Sequence, residues 1–296
     1  MEQDNRPAGA RVTNEMVGSA IEHYRVAWTE KDTMLYALGV GAALGDPARD
    51  LGLVTENSEG VALKALPSFL SAMGLGQYPP GMAGLETQYF LHAEQGIELV
   101  RPLPPSGQGF LSIRIEEVLD KGSGAYLTTV TTLHADKNDA GNELGPIGHA
   151  RSTIYVRGGG GFGGPRGSAP PSPFPDHEPD ARIIHETRPE QALVYRLNGD
   201  RNPLHSDPTF ARARGFERPI LHGLCTYGFA CRALVGAAGG DPDLLLAMNA
   251  RFSKPVYPGG TLTTEIWFGE AGLLQFRVLD HLGDAVLDRG TARIAQ

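Results

Sequence analysis

Two kinds of apolar spacing occur along the chain, and they predict helices and strands in different places. Residues 66–75 and 221–235 have the spacing of apolar helices. Strand-like runs around glycine turns at Gly141 and Gly283 are residues 125–133, 152–157, 261–268, 273–279 and 285–294. A long apolar helix followed by several antiparallel strands predicts an α+β fold in which a sheet wraps around a helix. The regular alternation of strand and helix that a doubly wound fold needs is absent from the pattern.

The two halves of the chain carry the same local signals in the same order. Each begins with the Thr-x-x-Asp/Glu spacing of a helix capping box, at Thr29 with Asp32 and at Thr187 with Glu190. A glycine follows in each half (Gly39 and Gly199), then an Asp-Pro pair, an apolar helix segment and strands. Four matches in the same order predict an internal duplication.

A segment rich in glycine and proline lies between the halves. Residues 157–176 contain 7 Gly and 5 Pro, a composition that neither a helix nor a central strand tolerates. We therefore expect an N-terminal unit over 1–156, a linker over 157–176 and a C-terminal unit over 177–296. The Gly-rich run at 158–164 is followed by prolines rather than a helix, which argues against nucleotide binding there.

Composition narrows the classes of protein that the chain can belong to. The 296 residues carry a net charge of −8, which makes a broad nucleic-acid or anionic-membrane surface unfavourable. No long apolar run or secretory leader is apparent, so we expect no membrane insertion. Two cysteines, Cys225 and Cys231, are too few for a disulfide framework and indicate a reducing compartment. Because the last residues are not Ser-Lys-Leu, we expect a bacterial cytoplasmic protein rather than a peroxisomal one.

Candidate chemistry is concentrated in the segment after Gly199. Asp200, Asn202 and His205 lie within six residues, and Pro203 keeps them out of a continuous helix. A carboxylate and an imidazole that share a water molecule form an acid/base pair able to add or remove water. The residues alone leave open the alternative of an ordinary helix end and turn, because Asn-Pro and Asp-Pro are common turn formers.

The second candidate feature is the start of the apolar helix at Leu221-His222-Gly223. The N–H of Gly223 would point out of the first turn, where the helix dipole is positive, and could polarise a thioester carbonyl. Close packing between helices is the structural alternative for this glycine. We interpret His222 as a cap or a packed side chain, and Cys225 and Cys231 as inert buried residues.

These two motifs resemble a known family. D-x-N-P-L-H at 200–205 and G-x-x-x-P-I-L-H-G at 215–223 are similar to the signature of type 2, or R-specific, enoyl-CoA hydratases, the MaoC-like dehydratases of the hot dog fold. The runs TEKDTMLYALGVGA, DKGSGA, RGGGGFGG and ARFSKPVYPGGTL resemble the two-domain hydratase of peroxisomal multifunctional enzyme type 2. The resemblance implies a double hot dog fold whose active site belongs to the C-terminal half.

The resemblance also implies roles for individual residues. Asp200 and His205 would hold and activate the water, Asn202 would help to position it or the thioester, and Gly223 would supply the oxyanion N–H. The implied substrate-binding residues are His92, Ala93, Lys121, Arg201, Pro203, Leu204 and Phe252. The first half has no Asn-Pro-x-His motif, so its implied role is a non-catalytic wall of the acyl tunnel.

The expected function is a (3R)-specific enoyl-CoA hydratase of fatty-acid β-oxidation, a hydro-lyase of the EC 4.2.1.119 kind. An acid/base pair and one oxyanion donor are sufficient for this reaction, so we expect no metal and no cofactor beyond the coenzyme A of the substrate. Arg212, Arg214, Arg218, Arg251 and Lys254 form a predicted basic rim for its phosphates. The alternatives are an acyl-CoA thioesterase, a dehydratase of carrier-protein thioesters and a non-enzymatic acyl-CoA-binding protein. Both a monomer and a homodimer are compatible with two hot dog units.

Overall fold

The computed structural model describes residues 11–136, 145–168 and 174–295. Its strands form one antiparallel sheet. Along the chain, α-helices and short 3-10 helices precede or connect the strands. The strands are β1 (Ala20–Trp28), β2 (Phe90–Leu99), β3 (Gly107–Asp120), β4 (Gly124–Ala135), β5 (Pro146–Arg157), β6 (Ala181–Glu186), β7 (Leu245–Phe252), β8 (Thr261–Phe268), β9 (Leu273–Leu279) and β10 (Ala285–Ile294). The α-helices are α1 (Glu30–Gly39), α2 (Leu51–Val54), α3 (Gln191–Tyr195), α4 (Pro208–Ala213) and α5 (Gly223–Ala237). The 3-10 helices are Asn14–Met16, Pro67–Ala72, Pro80–Met82, Thr87–Tyr89, Arg196–Asn198, Pro203–His205, Pro242–Leu244 and Glu270–Gly272.

The strand order repeats, and this repetition confirms the duplication and the double hot dog fold. The sheet runs β1-β3-β4-β5-β2-β7-β10-β9-β8-β6. Each half thus orders its five strands first, third, fourth, fifth, second, and the two second strands meet in the middle. β2 and β7 pair there from Glu94 opposite Arg251 to Glu98 opposite Ala247. The seam therefore places residues of both halves side by side.

Helix α5 packs against β6, β7, β8 and β10 of the C-terminal half of the sheet. It is apolar on all sides, and twelve consecutive residues from Leu224 to Val235 are buried. Gly228 allows close approach of the first half, because a Cβ there would lie 2.3 Å from Val40. Cys225 and Cys231 are buried as expected, and burial raises the pKa of Cys231 to about 11. Within the described ranges, no helix is long and apolar enough to cross a membrane.

The predicted helix at 66–75 is wrong in its length and type. Only a 3-10 helix, Pro67–Ala72, forms there, and it packs against α5, β2 and β5. Met73 returns to an extended conformation, and Gly74 has φ +79°, which a helix does not accept. The described part of the first half therefore has no counterpart to the long helix α5.

Of the two predicted capping boxes, only the first forms. The Asp32 carboxylate accepts the Thr29 N–H at 2.8 Å at the start of α1. The second is wrong, because α3 begins only at Gln191 and Glu190 makes no side-chain cap. The Thr187 hydroxyl instead donates to the Gly260 carbonyl oxygen at 2.8 Å and accepts the Gly259 N–H at 2.9 Å. A tertiary partner thus replaces the local cap.

The strand predictions succeed where a tight turn joins two alternating segments. The last three, Thr261–Phe268, Leu273–Leu279 and Ala285–Ile294, are confirmed at both ends, and Gly283 has φ +83° in the last turn. Residues 125–133 lie within β4, and residues 152–157 are only the second half of β5. Gly141 lies outside the described residues. β1, β2, β3, β6 and β7 were not predicted.

The beginning of the Gly/Pro-rich segment is anchored to the turn between β3 and β4. The Asp120 carboxylate accepts the N–H groups of Gly122, Gly161 and Gly163, each at 2.8 Å. These bonds, above all that from Gly161, lower the pKa of Asp120 to about 2. Gly160 has no room for a side chain, since a Cβ would lie 2.4 Å from the carbonyl oxygens of Gly122 and Gly124. The glycines here allow the chain to fold tightly around one carboxylate.

We expect Asp120→Asn to destabilise the protein by about 1–3 kcal/mol at pH 7, because charge-assisted bonds to the glycine N–H groups are lost. A lowered folded-state pKa contributes stability above the unfolded value of about 3.9, and this contribution is lost as the pH falls through about 2. The difference between wild type and variant in urea unfolding should therefore shrink between pH 5 and pH 2.5. A pH-independent difference would contradict this account of Asp120.

Candidate active site

The segment from Gly199 to His205 is a loop with its own internal hydrogen bonds. Gly199, at φ +119°, ends the 3-10 helix Arg196–Asn198, and the chain turns outward. Asn202 is extended, as the proline after it requires, and its side-chain oxygen accepts the Leu204 N–H at 3.0 Å. The Asp200 carboxylate accepts the Asn202 N–H at 3.2 Å. The segment is therefore a turn, as its residue types predict, and it also carries the candidate catalytic residues. Asn202 caps the 3-10 helix Pro203–His205.

His205 is buried and held in one tautomer. Its Nδ1–H donates to the carbonyl oxygen of Ile220 at 2.8 Å, which leaves the lone pair on Nε2. Burial lowers the pKa of His205 below its usual value, and the charge of Asp200 only partly opposes this shift. The imidazole is thus neutral near pH 7 and can accept a proton at Nε2.

His222 completes this cluster. Its ring stacks on that of His205, with centroids 3.7 Å apart and planes at 26°. Its Nε2–H donates to the main-chain oxygen of Asp200 at 3.3 Å, and burial lowers its pKa to about 2. One nitrogen or carboxylate oxygen from each of Asp200, His205 and His222 lies within 4.8 Å of the other two. The structure therefore brings the predicted pair together.

The sequence predicts only a cap or a packed side chain for His222. It does occupy the cap position of α5, but its side chain makes no cap hydrogen bond. Ser, Thr, Asp and Asn are the usual residues at this position. A histidine there indicates that its side chain makes contacts other than a helix cap.

Gly223 lies at the positive end of a 15-residue helix. It is the first residue of α5, so its N–H has no partner within the helix. A Cβ at this position would lie 3.0 Å from the Phe252 ring. Because glycine has no side chain, the N–H of Gly223 is accessible, and the Phe252 ring forms a wall next to it.

Three of the predicted substrate-binding residues form that wall at the seam of the sheet. The rings of Phe252 and His92 lie 4.5 Å apart. His92 shares a hydrogen bond of 3.0 Å with Ser152, and burial lowers its pKa to about 4. Ala93 lies at a bulge between His92 and Glu94, and the register of β2 with β7 brings it beside Phe252. Phe252 thus lies between Gly223 on one side and His92 with Ala93 on the other.

The other predicted substrate-binding residues lie around the loop or farther along the sheet. Arg201 and Pro203 are exposed and Leu204 is half-buried, all within the loop of residues 199–205. The Lys121 amino group donates to the main-chain oxygen of Arg166 and lies 5.5 Å from the Tyr126 ring. Its contacts are thus with the Gly-rich segment and β4.

The predicted basic rim is only partly available for a ligand. Lys254 forms an ion pair with Asp284 at 2.7 Å, so its charge is shared. Arg218 lies over the Tyr257 ring and donates to the Pro258 carbonyl oxygen at 3.0 Å. Arg212 and Arg214 are exposed, and Arg251 is half-buried. A polyanion would therefore meet mainly arginines here.

One residue of the first half, Leu75 at the end of the predicted apolar segment 66–75, approaches the loop of residues 199–205. The Leu75 Cδ1 lies 4.0 Å from the place of a Cβ on Gly199. Burial, and then the charge of Asp200, raise the pKa of Tyr78. The segment after the 3-10 helix Pro67–Ala72 thus faces the C-terminal loop.

Comparison with known proteins matches both halves to families. Residues 172–278 match the MaoC like domain, and residues 26–158 match the MFE-2 hydratase 2 N-terminal domain. A 3-hydroxyacyl-thioester dehydratase of Mycobacterium tuberculosis is 43% identical over 88% of this chain and 89% of its own. An enoyl-CoA hydratase of the same bacterium is 38% identical over 85% of this chain and 87% of its own. The crystal structure of a MaoC-like dehydratase from Phytophthora capsici is 30% identical, covers 96% of this chain and 98% of its own, and superposes with a TM-score of 0.83.

Proposed function

Because the chain belongs to the MaoC-like family of type 2 enoyl-CoA hydratases, we propose that it adds water reversibly to trans-2-enoyl-CoA to give (3R)-3-hydroxyacyl-CoA. The observation that carries this proposal is the cluster of Asp200 and His205 with His222, the residue directly before Gly223 at the start of α5. A hydro-lyase of this kind needs an acid/base pair and a donor for the thioester oxygen, and both are adjacent here.

In the proposed reaction, the Asp200 carboxylate and the His205 Nε2 hold one water molecule. The water oxygen forms a bond to C3 of the enoyl group as one O–H bond of the water breaks and its proton passes to the pair. The pair then delivers a proton to C2 and returns to its starting state. The negative charge that develops on the thioester oxygen meets the Gly223 N–H at the positive end of α5. The bond from His205 Nδ1 to Ile220 holds the lone pair of the neutral imidazole at Nε2 before the water is deprotonated.

We propose that the reaction needs no metal and no cofactor other than the coenzyme A carried by the substrate. The spacing within the cluster of Asp200, His205 and His222 is also within reach of a metal ion. The stacked rings, however, are only 26° from parallel, whereas a tetrahedral ion requires lone pairs that converge on one point. The cluster fits a hydrogen-bonded water better.

The assay that tests the function follows crotonyl-CoA, a short trans-2-enoyl thioester. We expect loss of the enoyl absorbance without release of free thiol, and (3R)-3-hydroxybutyryl-CoA as the product. Free thiol would indicate the thioesterase, and no turnover would indicate an acyl-CoA-binding protein. The crotonyl thioester of an acyl carrier protein, assayed in parallel, distinguishes the dehydratase that acts on carrier-bound substrates by a higher kcat/KM.

In this proposal the first half forms the far wall of the acyl site and takes no part in the chemistry. Support comes from Leu75, which lies against the loop of residues 199–205, and from the 3-10 helix Pro67–Ala72, which is much shorter than α5. The arginines Arg212, Arg214, Arg218 and Arg251 would meet the phosphates of coenzyme A. We further propose a cytoplasmic protein that is active as a monomer or a homodimer.

Leu75→Ala should reduce kcat/KM more for a decenoyl than for a crotonyl thioester, because it removes apolar contact from the longer chain only. Each methylene that leaves water contributes about 0.8 kcal/mol, so the loss of one or two contacts corresponds to roughly four- to fifteen-fold. Leu85→Ala, a half-buried leucine in a separate cluster, serves as the control and should leave the ratio unchanged. Equal proportional losses at both lengths would exclude Leu75 from the acyl wall.

A further inference from the structure

The duplication gives the active site a structural counterpart in the first half. Helix α1 ends at Gly39 as the 3-10 helix Arg196–Asn198 ends before Gly199. Leu66 precedes its helix at φ −68° and ψ 132°, nearly the angles of His222, −61° and 136°. The strand order of the two halves is the same, so the chain after Gly39 corresponds to the loop of residues 199–205. It has no Asp-x-Asn-x-x-His motif.

A cavity of about 170 Å³ lies at this counterpart. Its lining includes Arg49 and Asp50 from the first half, His185 on β6 and Arg232 on α5. The cavity reaches Gly236 in the last turns of α5, whereas Gly223 of the active site is the first residue of that helix. At 1.5 Å per residue, the two positions are about 20 Å apart along the helix axis. The cavity is therefore separate from the active site.

The polar side of the cavity carries an excess of positive charge. Arg232 is buried and donates to the Asp50 carboxylate at 2.7 Å and to the Val40 carbonyl oxygen at 3.2 Å. These two charges cancel each other. Arg49 is exposed and has no carboxylate partner among the described residues, so its charge remains available.

His185 adds a neutral hydrogen-bonding group to this side. Its Nδ1 is buried without a partner among the described residues, so this nitrogen has an unmet hydrogen bond that a ligand can supply. Burial is the main reason that the pKa of His185 falls to about 4. The ring is therefore neutral near pH 7, and in the tautomer with the proton on Nδ1 it can donate that N–H to an anion.

The opposite side of the cavity is apolar, and it is formed by Leu53, Leu66, Ile183 and Val235. A cavity of about 150 Å³ accommodates a benzene molecule, so this one has room for roughly six to eight non-hydrogen atoms. We propose that it binds a short-chain carboxylate of four to six carbons. Its carboxylate meets Arg49 and His185, and its alkyl chain lies against the leucines, Ile183 and Val235. One negative charge would balance the one unpaired positive charge of the site.

The experiment is a calorimetric titration of the full chain with sodium butyrate, with sodium chloride as the ionic-strength control. We expect saturable binding of butyrate, no heat of binding with chloride, and an affinity at least ten-fold weaker in Arg49→Gln and in Ile183→Phe. The first variant removes the free charge, and the second fills the cavity. Arg212→Gln, which changes an exposed arginine elsewhere, should bind as the wild type does.

Two results would overturn the proposal. One is the absence of saturable butyrate binding by the wild type, and the other is an unchanged butyrate affinity in Arg49→Gln. Because the Arg49 side chain is exposed, this variant should fold even if Ile183→Phe does not. Asp200→Asn distinguishes the active site, since a changed affinity in this variant would mean that butyrate binds there instead. Arg49→Gln should hydrate crotonyl-CoA at the wild-type rate. The binding result stands or falls independently of the proposed enzymatic function.

Discussion

Asp200→Asn and His205→Gln should each reduce the kcat of crotonyl-CoA hydration by about 10²–10⁴-fold, the usual contribution of a general acid/base group. The first change removes the negative charge beside the water and keeps the shape of the side chain. The second removes the basic Nε2 that the bond to Ile220 prepares. Initial rates at saturating substrate give the effect, and circular dichroism with thermal unfolding shows whether the fold is unchanged.

The double variant tests whether the two residues act as a pair. Because both residues contact one water molecule, the losses of kcat in the two single variants should not add. The double variant should have a kcat only slightly below that of the less active single variant. Asp207→Asn is the matched control: this carboxylate lies in the same loop but caps α4, where it accepts the Thr209 N–H at 2.7 Å. It should retain nearly full activity. Additive losses, or substantial activity in either single variant, would contradict the assignment.

Gly223→Pro should reduce kcat by about 10²–10³-fold, the cost of removing one oxyanion donor. Proline has no N–H and is favourable at the first position of a helix, so α5 can still form. The residue before a proline must be extended, and His222 already has φ −61° and ψ 136°. The substitution is therefore suited to removing the proposed donor without breaking the helix.

The added ring atoms are the other consequence of this substitution, since a Cβ at Gly223 lies 3.0 Å from Phe252. Gly223→Ala introduces the same Cβ but keeps the N–H, and it should lose much less activity. Combining each change with Phe252→Leu relieves the contact in both. If the alanine and proline variants were equally impaired in this background, the N–H of Gly223 would not be the oxyanion donor.

The parts of the fold and of the site that depend on local residue types could be predicted from the sequence alone. Alternating residues on both sides of a tight turn identified β8, β9 and β10 at their observed ends, because turn and alternation together define the register. The Asn202-Pro203 pair defined an extended residue followed by a turn, since the proline ring restricts the preceding backbone. The two motifs also sufficed to name Asp200, His205 and Gly223 as candidates.

Tertiary contacts decided the features that the local pattern left undetermined or predicted wrongly. Thr187 has the spacing of a cap, yet it bonds to Gly259 and Gly260 because the sheet brings that turn within reach. The apolar segment after Leu66 does not continue as a helix. Gly74 takes a left-handed conformation against Leu111, where a Cβ would lie 2.9 Å away.

The contacts of His222 could not be predicted from the sequence, because they join separate parts of the chain. Its ring stacks on His205, and its Nε2–H reaches the Asp200 carbonyl oxygen, 22 residues away. The seam between β2 and β7 likewise brings His92 and Phe252 together from opposite halves. Local residue types thus define which groups can act, and only the packed sheet, through its register and burial, determines which of them meet.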